Sequence, residues 1–164
     1  MEEKQNIFST IEKKLQSQNL SIVSVDNNRP WGGFFVIDEK DAPKFIEYYF
    51  PTIEIPDLLK GKISPKILLI APHKKISWQY HHRRAELWTL IGGTASVILS
   101  DTDEEKNPLI MQAQECVSIG KGIRHRLVGQ DQWGIVAEIW VHTNEHLPSN
   151  EEDIVRVQDD FGRN

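Results

Sequence analysis

Residues 76–88 read ISWQYHHRRAELW, and residues 92–100 continue as GGTASVILS. Ser77 to Tyr80 and Leu87 to Ile91 read as short strands on either side of a polar cluster. Ala95, Val97 and Leu99 alternate with Thr94, Ser96, Ile98 and Ser100, the period of a half-buried strand. Gly92-Gly93 between them is a hairpin signal. Side chains two apart on a strand share a face, so Gln79 and His81 aim one way while Tyr80 and His82 aim the other. Glu86 lies five residues past His81, and a turn or bulge at His82 to Arg84 would return it to the same inward face.

The texture on both sides supports a β fold. From Lys66 onward the chain offers Ile67 to Ala71, Leu109 to Met111, Glu115 to Ile119, Arg126 to Val128, Ile135 to Val141 and Ile154 to Val157. With the strands above this makes about nine short strands, with turn signals every 8–12 residues or so, the pattern of an all-β sandwich or barrel. Asp101 to Pro108 reads as an acidic, solvated loop. Before Lys66 the pattern differs. Ile7 to Leu20 has helical spacing, with Ile7, Phe8, Ile11 and Leu15 on one face and Ser9 and Thr10 near its start. Arg29-Pro30-Trp31-Gly32-Gly33 makes a rigid turn with one large apolar anchor, and Phe34 to Ile37 reads as a strand. Ala42 to Phe50 forms a second short helix that tolerates Pro43 in its first turn. Pro51, Pro56 and Gly61 punctuate the connection that follows.

Composition narrows the function classes. The 164 residues suit one domain with a real core. An apolar share of 39% and a charged share of 26% are those of a soluble globular protein. A net charge of -5 argues against nucleic-acid binding, which usually needs a basic stripe. The single cysteine, Cys116, reads as a small buried residue and excludes an intrachain disulfide framework or a thiolate-rich metal site. No apolar run has the length of a membrane span, and the polar start lacks the apolar stretch of a signal peptide, so the cytoplasm is the expected compartment.

The polar cluster carries the chemistry. Gln79, His81 and Glu86 supply an amide oxygen, an imidazole and a carboxylate, and His125 follows the permissive turn Gly120-Lys121-Gly122. Nitrogen and oxygen ligands of this kind suit a divalent transition metal. Four of them inside a small barrel would leave one or two positions open, as in catalytic or substrate-binding centres. Taken singly, a His-His-Arg-Arg run is more often a solvated basic edge, and His125 more often a surface or hydrogen-bonded core histidine. Jointly, Gln-x-His, Glu, Gly and a distant Gly-x-x-His are well above chance.

These residues resemble the cupin superfamily, whose first motif runs His-x-His, Glu, Gly and whose second runs Pro-x-Gly-x-x-His. More specifically, the chain is similar to the C-terminal cupin module of type II mannose-6-phosphate isomerases. The resemblance rests on Arg29 to Gly32, Ile76 to Trp88, Gly93 to Ala95, Glu152 to Arg156 and Asp160 to Arg163. It implies a jelly-roll barrel, or double-stranded β-helix, over residues 29–164, preceded by a helical extension at 1–28. It implies Gln79, His81, Glu86 and His125 as ligands of one divalent metal ion, with zinc as the first expectation and manganese, iron, cobalt or nickel as alternatives. Arg84 is then the active-site arginine. The implied reaction interconverts an aldose phosphate and a ketose phosphate, with mannose 6-phosphate and fructose 6-phosphate as the first pair. The competing implication is a non-catalytic cupin that binds a sugar or sugar phosphate; an iron-dependent oxygenase ranks behind both.

Three positions depart from the pattern. Gly120 replaces the proline of the second motif, Arg83 stands at the third histidine of the cluster, and Leu87 stands where a histidine precedes the tryptophan. The last two favour the binding-only alternative. Full-length relatives of this type also carry a nucleotidyltransferase domain; a chain of this length without a Gly-rich nucleotide loop is expected to lack guanylyltransferase activity. His82 and Glu138 are candidate proton carriers, and Lys66, Lys121 and Arg124 candidate phosphate contacts. Trp31, Trp88, Trp133 and Trp140 read as core or interface aromatics. Arg156, Asp159, Asp160 and Arg163 read as a closing strand with its ion pairs. The expected partner is a small sugar phosphate, with neither nucleic acid nor membrane, and edge-strand pairing would give a homodimer.

Overall fold

A computed structural model describes residues 1–54 and 61–163. Helix α1 (Glu2–Ser17) leads into strands β1 (Ile22–Arg29) and β2 (Gly32–Ile37). A 3-10 turn (Glu39–Asp41) and helix α2 (Ala42–Tyr49) follow, then β3 (Ile63–Ile70), β4 (Trp78–Tyr80) and β5 (Arg84–Ser100). The chain ends with β6 (Leu109–Ile110), β7 (Cys116–Ile119), β8 (Arg124–His142) and β9 (Val155–Gln158). The strands form one curled antiparallel sheet, as the all-β reading expects and as the jelly-roll barrel implied by the cupin resemblance requires. Pro56, assigned above to a connecting loop, lies outside the described residues.

Strand β8 is the spine. Its second half pairs with β3, from Ile63↔Val141 to Ile70↔Gly134, and its full length pairs with β5, from Arg84↔His142 to Ser100↔Arg124. Near its start it also takes β4 as a neighbour, through Gln79↔His125, and β4 takes β9. The Gly92-Gly93 pair does not turn a hairpin. Strand β5 runs straight through it, with register shifts between Leu90 and Gly92 and between Gly93 and Ala95. Gly93 has φ +64°, and a Cβ there would stand 1.7 Å from the Trp133 carbonyl oxygen. The glycine thus serves a close approach of two bent backbones, not a chain reversal. Arg126 to Val128 and Ile135 to Val141 are likewise one strand. The polar residues between them, Asp131 and Gln132, are exposed where β8 bends, so their polarity mimics a loop.

Helix α1 begins earlier than its apolar stripe implies, at Glu2. Glu2 and Glu3 occupy its first turn, where negative charge complements the exposed amide groups. It buries Phe8, Ile11 and Leu15, each contributing about 1.5–3 kcal/mol by removal from water. Helix α2 has Pro43 in its first turn and buries Phe45, Ile46 and Tyr49. Both helices pack on one face of the sheet, sharing a core with Phe35, Ile37, Ile63, Ile67, Leu69 and Ile139. Strand β1, unanticipated by the sequence reading, pairs with β2 and occupies part of the stretch assigned to the helical extension. Its Asp-Asn-Asn run and mostly exposed side chains hide it. A second core, with Leu68, Ile70, Trp88, Leu90, Val97, Leu127 and Val136, fills the barrel. Among the described residues, no helix is long and apolar enough to cross a membrane.

Candidate metal centre

The polar cluster collects at one end of the barrel. Gln79 on β4 is the cross-strand partner of His125 on β8. Strand β4 stops at Tyr80, a turn at 81–83 follows, and β5 begins at Arg84. That turn lets Glu86 come back beside His81. Two contacts fix it. The Gly122 amide donates to the His81 carbonyl at 3.0 Å, and Gly122 has φ +79°, a left-handed conformation that suits glycine. On the other side the buried Asp153 carboxylate accepts from the His82 and Arg83 amides, both at 3.0 Å, and from the Ser149 hydroxyl at 2.6 Å. These donors outweigh the cost of burial and hold the Asp153 pKa below its ordinary value.

His81, Glu86 and His125 are buried together, with their ligand atoms within 4.8 Å of one another. His81 Nδ1 lies 2.6 Å from the Asp153 carbonyl oxygen, and His125 Nδ1 lies 2.8 Å from that of Ile123. A carbonyl oxygen only accepts, so each Nδ1 carries the hydrogen and each neutral ring turns a lone pair outward at Nε2. Those lone pairs face a carboxylate: His81 Nε2 is 3.1 Å from Glu86 Oε1, and His125 Nε2 is 3.3 Å from Glu86 Oε2. With both rings neutral, acceptor confronts acceptor at His125 Nε2 and Glu86 Oε2, whereas His81 Nε2 and Glu86 Oε1 each have an Arg84 nitrogen beside them. Glu86 Oε2 and His125 Nε2 are buried without a hydrogen-bond partner. Burial pushes the His81 pKa down. Burial also opposes charge on Glu86, but the positive charge that His125 and His81 carry when protonated outweighs it and keeps the carboxyl well below its usual range. Two imidazole nitrogens and a carboxylate, each ring oriented by a backbone carbonyl, fit a divalent transition metal.

Arg84 supplies part of the positive charge this cluster needs. Its Nε donates to Glu86 Oε1 at 2.8 Å, Nη2 lies 3.2 Å from His81 Nε2, and Nη1 donates to Ser149 Oγ at 2.9 Å. The guanidinium lies over the Trp140 ring, 3.5 Å from its centroid. Gln79 is half-buried beside the cluster, and its Oε1 accepts from the Ser77 hydroxyl.

Gln79, Arg84 and Glu86 line a cleft that is open to solvent, together with Lys66, Glu138 and Trp140. Of the two candidate proton carriers, Glu138 lines this cleft, whereas His82 is exposed and packs edge-on against Tyr80. Glu138 accepts from the indoles of Trp88 at 2.8 Å and Trp140 at 2.9 Å. Burial, then the nearby Glu86 charge, pushes its carboxyl up to about 8. Of the three candidate phosphate contacts, Lys66 lines the cleft; Lys121 is exposed, and Arg124 pairs with Asp103 at 2.8 Å and covers Tyr80. The four tryptophans divide. Trp88 is fully buried and Trp133 packs partly buried on the helix side, while Trp31 and Trp140 form cleft wall. Asp153 and Ser149 are site residues that the sequence reading passed over. Asp153 lies inside the Glu152 to Arg156 motif, which was the one available signal.

The sequence and the fold both have relatives. Residues 58–159 match the family described as mannose-6-phosphate isomerase C-terminal. A mannose-1-phosphate guanylyltransferase from Salmonella montevideo is 30% identical over 161 residues, which is 98% of this chain and 28% of that protein. The xanthan biosynthesis protein XanB from Xanthomonas campestris is 28% identical over 135 residues, 82% of this chain and 23% of that protein. The chain therefore spans between about a fifth and a third of the length of these relatives. A variant of oxalate decarboxylase from Bacillus subtilis shares the fold, with a TM-score of 0.58 at 12% identity, over 83% of this chain and 31% of that one. With a family match over well more than half its length, on a curled jelly-roll sheet shared with such a structure, the chain belongs to the mannose-6-phosphate isomerase C-terminal family of cupins.

Proposed function

We propose that the protein is a metal-dependent aldose–ketose isomerase of sugar phosphates, acting first on mannose 6-phosphate and fructose 6-phosphate. The observation that carries this reading is the buried His81–Glu86–His125 group, with His125 Nε2 and Glu86 Oε2 facing each other without hydrogen-bond partners, beside an open, arginine-lined cleft. His81, Glu86 and His125 would hold the metal, zinc first, with Gln79 as the fourth ligand. A divalent metal held there supplies Lewis acidity toward the oxygens on the two reacting carbons. Isomerisation moves a proton between those carbons while negative charge develops on oxygen. Arg84, fixed by Glu86, Ser149 and the Trp140 face, places a permanent charge where that oxygen would sit. A guanidinium does not deprotonate, so the proton needs another carrier. Glu138 lines the same cleft, and burial raises its carboxyl to about 8, well above an ordinary carboxylate, which suits that task.

The binding-only alternative drew support from Arg83 and Leu87. Leu87 packs into the core beneath the helices, and Arg83 sits on the turn with its amide on Asp153 and its Nη2 3.4 Å from Asn150. Neither is among the residues that line the cleft. The test is a coupled assay with mannose 6-phosphate and fructose 6-phosphate on protein of measured metal content. Turnover without oxygen consumption is the expected result, and binding without turnover would establish the alternative. In the same assay Arg84→Gln should retain metal and lose roughly 10²–10³-fold in kcat; full activity in that variant would remove Arg84 from the reaction.

A further inference from the structure

We propose that Arg156, Arg163 and Arg29 form an anion subsite that holds the phosphoryl group of a phosphomonoester whose other end lies at the His81–Glu86–His125 cluster. The inference rests on the sugar-phosphate reading of this cleft and assigns it a direction.

Strand register carries the argument. Gln79 on β4 is the cross-strand partner of His125 on one side and of Arg156 on the other. Directly opposed residues share a sheet face. Arg156, Gln79 and His125 therefore form one row across β9, β4 and β8. Two strand spacings, roughly 10 Å, separate its ends. That is the length scale of an open-chain six-carbon phosphomonoester reaching from its reacting carbons to its phosphorus.

Two further guanidiniums converge on the Arg156 end from distant parts of the chain. Arg29 closes β1, Arg163 follows β9, and both line the cleft with Arg156. Each is aimed by a carboxylate. Arg29 Nε donates to Asp26 at 2.8 Å, and Arg163 donates to Asp159 through Nε at 3.0 Å and Nη2 at 2.7 Å. A guanidinium has five donor hydrogens, so these bonds orient the groups while engaging only part of their capacity. Burial and the charges of Arg163 and Arg29 press against the charge on Arg156, while Asp159 and Glu151 support it. The fourth cation of this region, Lys66, is already paired with Glu151 and lies over Trp140. On a chain of net charge -5, three crowded arginines at the mouth of a cleft focus a positive field where a phosphate dianion would enter.

The experiment titrates metal-loaded protein with inorganic phosphate, mannose 6-phosphate and unphosphorylated mannose, in the wild type and in Arg156→Gln, Arg163→Gln and Arg29→Gln. Both phosphates should bind the wild type, and each substitution should weaken both by about 10- to 100-fold, the worth of a charge-assisted hydrogen bond. Mannose affinity and metal content should stay at wild-type values. Thermal melting screens for misfolding; Arg29→Gln, on an edge strand, keeps the test open if a β9-side variant fails to fold. Wild-type phosphate affinity in the folded variants overturns the subsite, as does failure of the wild type to bind inorganic phosphate. Arginine-dependent phosphate binding without isomerase turnover supports the subsite and removes the isomerase reading. Turnover with unchanged KM in the variants removes the subsite and leaves the isomerase reading standing.

Discussion

On β3, Ile63, Ile67 and Leu69 turn toward α1 and α2, while Lys66, Leu68 and Ile70 turn into the barrel. Strand β8 does the same, with Ala137 and Ile139 beneath the helices and Glu138 and Trp140 at the cleft. The face under the helices is mostly apolar, with Thr89 a buried exception, and is held chiefly by burial. The inner face is apolar at depth and charged at one end, where Lys66, Arg84, Glu86 and Glu138 are all buried. Burying so much charge is costly unless each group is paired or bound. The pairs Arg84–Glu86 and Lys66–Glu151 meet part of that need. The Glu86 and His125 atoms without partners mark what remains. One face thus supplies stability, and the other spends some of it on a site.

Substitutions on the two faces should separate these roles. The largest effect is expected at the cluster: His125→Ala should abolish metal retention, measured by elemental analysis, and with it turnover, while the circular dichroism spectrum stays native. Retention of stoichiometric metal would mean that His125 is not a ligand. Under the helices the pattern should invert. Phe45→Ala should cost about 3–5 kcal/mol in denaturant unfolding, yet the folded variant should keep its metal and its KM. Loss of metal at full occupancy of the fold would show that the two faces are coupled.

Asp153 lies between these extremes, since it acts on the ligands only by holding their turn. Its folded pKa is below the ordinary value of about 3.9. It therefore adds stability that is complete above that value and is lost as pH falls through the folded pKa. Asp153→Asn should cost about 1–3 kcal/mol at pH 7 and flatten the acid limb of the stability profile. An unaltered profile would mean that the turn holds without the carboxylate. The smallest effect on activity is expected from Leu87→His, which restores the family's histidine. Because that side chain faces the helix core, kcat and KM should stay at wild-type values while stability falls by about 1–3 kcal/mol. A gain in activity would place residue 87 in the site after all.

Much of the site could be read along the chain. The run from Gln79 to Glu86 and the turn before His125 mark candidate ligands because strand period and glycine turns are local properties. Other parts resisted reading for identifiable reasons. Gly92-Gly93 looks like a hairpin because the sequence shows flexibility, not the neighbouring backbone that requires it. Strand β1 is an exposed edge rich in Asp and Asn, so it lacks the apolar alternation that marks a strand. The side that Leu87 takes was not legible either, since which face a residue packs on depends on what covers the sheet.

By itself, the sequence determined the all-β class, the two helices, the cupin resemblance and the four candidate ligands. The class, the helices and the polar cluster follow from periodicity, turn chemistry and residue type, all of which are short-range, while the cupin expectation rests on the motifs the chain shares with that family. Only the tertiary structure decided that Asp153 holds the His81 turn, that Glu138 and not His82 reaches the cleft, and that Arg29, Arg156 and Arg163 meet at its mouth. Those facts depend on which strands become neighbours in the closed sheet. Neighbours are chosen by burying both faces at once, so no local stretch of the chain records them.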